Sequence, residues 1–207
     1  MSMSDLARPR RSPKQARSGD RLFVLEELAV KLLIEGGPSA VTPKALIQIY
    51  REAGGKVSKQ WVSNYMGPGN AIIRRLATGH FRVLAKYAEE AGHLAVMSPD
   101  LEQATKILAL HVTGAQDPWF ARAHPALCGL VIMEGLSIQG QWSEAVAAAV
   151  AKVLTHFQPD GDAIALAGPA TYALLGAWFG LVLQGRERDD HRLAYLSGAF
   201  LGVVRAR

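Results

Sequence analysis

At 207 residues, of which 49% are hydrophobic, the chain carries enough apolar material for a substantial core, in one domain or in two small ones. Cys128 is the only cysteine, which excludes a disulfide framework, and no Cys/His array has metal-ligand spacing, so neither metal nor cofactor is expected. The net charge of +5 is split unevenly: residues 1–86 hold 15 Lys+Arg against 6 Asp+Glu, and residues 87–207 hold 8 against 12. Phosphate binding is driven by counterion release from Lys and Arg contacts, so this split points to a polyanionic partner for the first part alone.

Residues 1–19 are rich in Arg, Ser and Pro and lack the apolar stretch of a secretory signal. They read as a disordered basic arm, and with the lone cysteine they suggest a cytoplasmic protein. Asp20 then reads as the N-cap of a helix over Arg21–Glu35, in which Leu22, Leu25, Leu28, Ala29, Leu32 and Leu33 recur at helical spacing. Gly36, Gly37 and Pro38 stop it. Thr42 followed by Pro43 opens a second helix to about Ala53, broken by Gly54 and Gly55. Ser58 caps a brief polar helix, Lys59 to Tyr65, ended by Gly67-Pro68-Gly69. Two short helices joined by a glycine turn, the second one polar, have the anatomy of a helix-turn-helix.

A long helix is expected from Asn70 to about Glu90, with Gly92 beyond it. Ser98-Pro99-Asp100 starts a helix through about Gly114, Asp117-Pro118 starts another, and Pro125 precedes an apolar helix to about Ile138. Trp142–Phe157 is alanine-rich and helical, and the last two helices cover about Asp162–Gln184 and Asp189–Ala206. No strand alternation appears, so the fold class expected is all-α. Ala163–Gly185 carries no charge over a length that could span a bilayer, but its many small residues and its Pro169, Thr171 and Gln184 fit a buried helix at an oligomer interface better. No membrane partner is expected.

In this setting the residues around the turn resemble the TetR-type (tetracycline repressor-like) transcriptional regulators. That family's pattern is an Ala-Gly pair, then Val-Ser, polar recognition positions, an aromatic pair, and a Lys-Glu that opens a long fourth helix. Here Ala53-Gly54 is followed, after an extra Gly55-Lys56, by Val57-Ser58-Lys59-Gln60-Trp61-Val62-Ser63-Asn64-Tyr65-Met66. Ser63 stands in place of the usual tyrosine, Met66 in place of phenylalanine, and Gly69-Asn70 in place of Lys-Glu. The resemblance implies an N-terminal three-helix DNA-binding domain over residues 20–68 and a C-terminal helical effector-binding and dimerisation domain over 69–207. It further implies a ligand-responsive regulator, a repressor first of all, that binds a palindromic operator as a homodimer. A helical protein-interaction module without DNA binding is the alternative.

Lys59, Gln60, Trp61, Ser63, Asn64 and Tyr65 are the candidates for base and groove contacts, since Lys suits guanine while Gln and Asn suit adenine. Thr42, Lys44 and Lys56 are the candidates for the phosphate backbone, Arg17 of the arm for backbone or minor groove, and Ser58 is a further DNA-binding candidate. A small, largely apolar effector would be enclosed by Trp119, Phe120, Met133, Trp142, Tyr172 and Trp178, oriented by a polar residue such as His111, His124, Glu134 or Gln139. Gly176-x-x-x-Gly180 and Gly198-x-x-x-Gly202 put small residues on one row of each terminal helix. With Leu175, Phe179, Leu183 and Leu201 they are the expected dimer contact. Ser143-Glu144 with His156, and Asp189-Asp190-His191, hold catalytic residue types without a nucleophile elbow, phosphate loop or metal motif, so no enzyme is expected.

Overall fold

Helix α1 covers Ala16–Gly36 and buries Leu22, Leu25, Ala29, Val30 and Leu33, the single apolar stripe that its spacing demands. It begins ahead of the expected start, because Ala16 and Arg17 are good helix formers, and Asp20 lies inside it rather than capping it. Gly37, with φ 70°, closes the helix, its N–H donating to Leu33 O at 3.0 Å. A 3-10 turn, Pro38–Ala40, leads to α2, Pro43–Glu52, capped where Thr42 Oγ1 accepts from Ala45 N–H at 3.1 Å. After the glycine turn come α3, Lys59–Tyr65, and α4, Gly69–Ala95.

The computed structural model describes residues 16–117, 123, 125–128, 140–158, 162–186 and 191–206, with side chains from residue 19 onward. Every regular element among them is helical. The chain divides into two compact units, Met1–Gly79 and His80–Arg207, with the division falling inside α4. In the first unit, Val41, Leu46, Ile47, Val57, Val62, Met66, Ile72, Ile73 and Leu76 complete the core begun by α1. A partly buried ion pair between Arg75 and Glu26 ties the start of α4 to α1.

The second unit contains the rest of α4 with α5 (Leu101–Val112), α6 (Gly140–Phe157), α7 (Ala163–Leu183) and α8 (Arg192–Arg205). Residues 123 and 125–128 are also helical. Asp100 and Asp162 cap α5 and α7, their Oδ1 atoms accepting from Gln103 N–H (2.8 Å) and Ala165 N–H (3.0 Å). α4 outruns its expected end because Gly92 is a contact glycine, not a stop: a Cβ there would lie 3.1 Å from the Ala149 backbone of α6. α7 packs against both α6 and α8, and α5 against α6 and α8. The one helix among the described residues long and apolar enough to cross a membrane is α7, and it buries Leu166, Ala170, Leu174, Trp178 and Leu181 within this unit.

Candidate nucleic-acid interface

The turn between α2 and α3 is built by two glycines with different jobs. Gly54 takes φ 81°, a conformation that costs glycine little and other residues more. Gly55 donates its N–H to Tyr50 O at 2.9 Å, and a Cβ on it would run into the Tyr50 ring. The chain then extends through Lys56 and buried Val57 to Ser58, whose Oγ accepts from Trp61 N–H at 3.1 Å and so fixes where α3 begins.

Along α3, Val62 and the following Met66 are fully buried. The helical period therefore turns Lys59, Gln60 and Ser63 to solvent, while Trp61, Asn64 and Tyr65 are half-buried at the rim. Gln60 Nε2 donates to Asn64 Oδ1 at 2.9 Å, so the two amides suited to adenine form one i,i+4 pair. This leaves the Asn64 NH2 and the second Oδ1 lone pair available, and it orients the amide before any ligand arrives. Trp61 and Tyr65 stack with centroids 4.5 Å apart, and the Arg21 guanidinium lies 5.4 Å from the Trp61 ring. Sequence reasoning misses Arg21, because its partner is 40 positions away and no spacing rule joins them.

Thr42, Lys44, Lys56 and Ser58 are all exposed. Thr42 and Ser58 act first as helix caps, which leaves each hydroxyl proton free to donate. The Arg17 side chain lies outside the described residues. At the end of α3, Met66 N–H donates to Val62 O at 2.8 Å, and Gly67 at φ 80° turns the chain into α4.

In the second unit Trp142 and Trp178 are buried core residues, the Trp142 ring lying 5.1 Å from Phe81 and 6.0 Å from Phe179. Cys128 is fully buried, and burial pushes its thiol above the ordinary range, which makes it an unreactive core group. His80 is likewise buried, and burial lowers its pKa to about 3. Tyr172 does not join the buried tryptophans: it is 80% exposed on the outer side of α7, because α6 and α8 cover the opposite sides. His111 is half-buried, with Nδ1 2.9 Å from Ile107 O of its own helix. Trp119, Phe120, His124, Met133, Glu134 and Gln139 lie outside the described residues, as do Asp189 and Asp190.

Of the expected dimer residues, Gly176, Leu183, Gly198 and Gly202 are exposed, and Phe179 and Gly180 half-buried. Leu175 and Leu201 are buried, each beside the glycine row rather than on it, where they pack within their own unit. The outer row instead gains Ile164, 87% exposed, together with Tyr172 and Tyr195.

No family model matches the chain, and no curated protein matches it either. Among solved structures, a Mesorhizobium loti protein provisionally assigned to the TetR family of transcriptional regulators superposes with a TM-score of 0.63. The match covers 93% of this chain and 96% of that one. This chain has the TetR-type fold. Identity to that protein is 14%, so the likeness concerns architecture and not residues. α2 and α3 are two short helices joined by the glycine turn, and among the described residues no three His, Cys, Asp or Glu side chains gather as a metal site.

Proposed function

We infer that the protein is a DNA-binding transcriptional regulator whose α3 enters the major groove. The observation that carries this reading is the two-sidedness of α3: Val62 and Met66 are fully buried, while Lys59, Gln60, Ser63 and the bonded Gln60–Asn64 amides face outward. A core helix of a protein-interaction module would have little reason to spend its outer face on three base-reading residue types in one short helix. The glycine-built turn and the two capping hydroxyls hold that face rigidly, as sequence readout needs.

The same reading makes the protein a homodimer joined through the outer row of α7 and α8, where Ile164, Tyr172, Gly176, Leu183, Tyr195, Gly198 and Gly202 present apolar or small surface. Two recognition helices would then meet half-sites about 34 Å apart, which makes the operator a palindrome. A small, largely apolar effector taken up in the second unit would shift the dimer between forms of different DNA affinity, with repression relieved on binding.

The test is selection of bound duplexes from a random-sequence library by the full chain, followed by footprinting. Enrichment of a palindrome spanning two adjacent major grooves is expected. Failure to retain any duplex at low salt, where non-specific binding is strongest, would sink the reading.

A further inference from the structure

Beside α3 lies an open notch lined by Arg21, Arg51, Lys56, Val57, Ser58 and Trp61. Its three cations come from three segments: α1, the last turn of α2, and the glycine-built turn. Among the described residues none of the three is in an ion pair, although Arg75, Lys31 and Lys106 are. Three converging, unpaired positive charges around a hydroxyl and an indole repel one another, an arrangement that an anion relieves.

The start of α4, at the other end of α3, is closed to such a cation. Position 69, where the resemblance would put a phosphate-binding lysine, has no room for any side chain: a Cβ on Gly69 would lie 2.6 Å from the Val41 carbonyl oxygen. The extra Gly55-Lys56 of the turn, by contrast, adds a cation at the other end of α3. We propose that the Arg21–Arg51–Lys56 notch is a clamp for a backbone phosphate of duplex DNA, flanking the groove that α3 enters. Ser58 sits at its edge with a free hydroxyl proton, and Trp61 holds the Arg21 guanidinium in place by its ring face while leaving the N–H edges free. The clamp rests on the DNA-binding reading, and it adds phosphate residues, Arg21 and Arg51, that motif reading does not supply.

Arg51 and Lys56 are exposed, so their replacement leaves the core untouched. The experiment measures binding of the full chain to a labelled mixed-sequence duplex by anisotropy over a range of salt concentrations. Arg51→Ala and Lys56→Ala are each expected to lower the magnitude of the slope of log K against log salt by about 0.9 for each phosphate no longer neutralised, whereas Lys106→Gln leaves it unchanged. Arg51→Lys should keep the slope, as a charge contact predicts and a purely structural role does not. If the wild-type chain binds duplex but both alanine variants keep its slope, the clamp is overturned while the DNA reading stands. If the wild-type chain binds no duplex at any salt, both fall together.

Discussion

Glycine does opposite things around α3, in the first unit, and along α7 and α8, in the second. In the first, Gly55 and Gly69 sit where a Cβ would strike the Tyr50 ring or the Val41 carbonyl, so the fold of that unit itself requires them. In the second, Gly168, Gly176, Gly180, Gly198 and Gly202 lie mid-helix with nothing within 4 Å of where a Cβ would be. Glycine inside a helix costs roughly 0.5–1 kcal/mol relative to alanine, and here that cost brings no close contact among the described residues. The turn and the start of α4 are shaped by contacts inside the first unit, while the glycines of α7 and α8 leave open space among the described residues. The second unit also buries two titratable groups, His80 and Cys128, in neutral form.

The largest expected effect tests that burial. His80 has a folded-state pKa of about 3 against 6.5 unfolded, so above pH 6.5 both states are neutral and nothing is lost. As pH falls from 6.5 toward 3 the unfolded chain takes up a proton that the folded chain does not, and stability falls by as much as on the order of 4 kcal/mol. Urea titrations across this range should show the loss, and His80→Leu should remove most of it. An unchanged pH profile in that variant would show that His80 is not the group responsible. Next in size is Gly69→Lys, which restores the lysine of the resembled motif but drives a Cβ into the Val41 carbonyl; a loss of about 1–3 kcal/mol is expected in thermal unfolding. Wild-type stability in this variant would break the contrast drawn between the two sets of glycines.

The caps make much of this architecture readable from the sequence. Thr42-Pro43, Ser58, Asp100 and Asp162 each accept the hydrogen bond that their residue type promises, so α2, α3, α5 and α7 begin where the sequence suggests. α1 and α4 exceed their expected bounds because Asp20 and Gly92, which look like punctuation, are used for other purposes. Within the candidate site, the outward residues of α3 follow from the helical period. The stacking of Arg21 on Trp61 and the closed space at Gly69 depend on tertiary contacts between distant segments, which local spacing does not encode. The same limit explains Leu175, Leu201 and Tyr172: periodicity gives each a row, but only the placement of α6 and α8 around α7 decides which row is covered.

If α3 reads bases as proposed, that readout should be sensitive to a smaller change. Asn64→Ala is expected to cost about 1–2 kcal/mol of discrimination at one base pair of each half-site, at unchanged salt slope. Gln60→Leu should produce part of the same loss by freeing the Asn64 amide to rotate, and library selection with both variants would reveal it. If Gln60→Leu alters a different base pair from Asn64→Ala, the two amides act separately and the pairing is incidental to recognition.

The smallest effect is the one that separates the two units most cleanly, because its sign depends on the state of assembly. Gly176→Ala and Gly198→Ala add a methyl group to open space and remove the flexibility of a mid-helix glycine. In a lone chain each should raise stability by about 0.5–1 kcal/mol. If the outer row of α7 and α8 is a close-packed contact between two copies, the added methyl groups hold the helices apart, and self-association weakens even as each chain gains. Sedimentation and melting temperature measured against protein concentration distinguish these, since the stability of an associating protein rises with concentration. A variant with a higher melting temperature and unaltered self-association would show that the glycine row is not where copies meet.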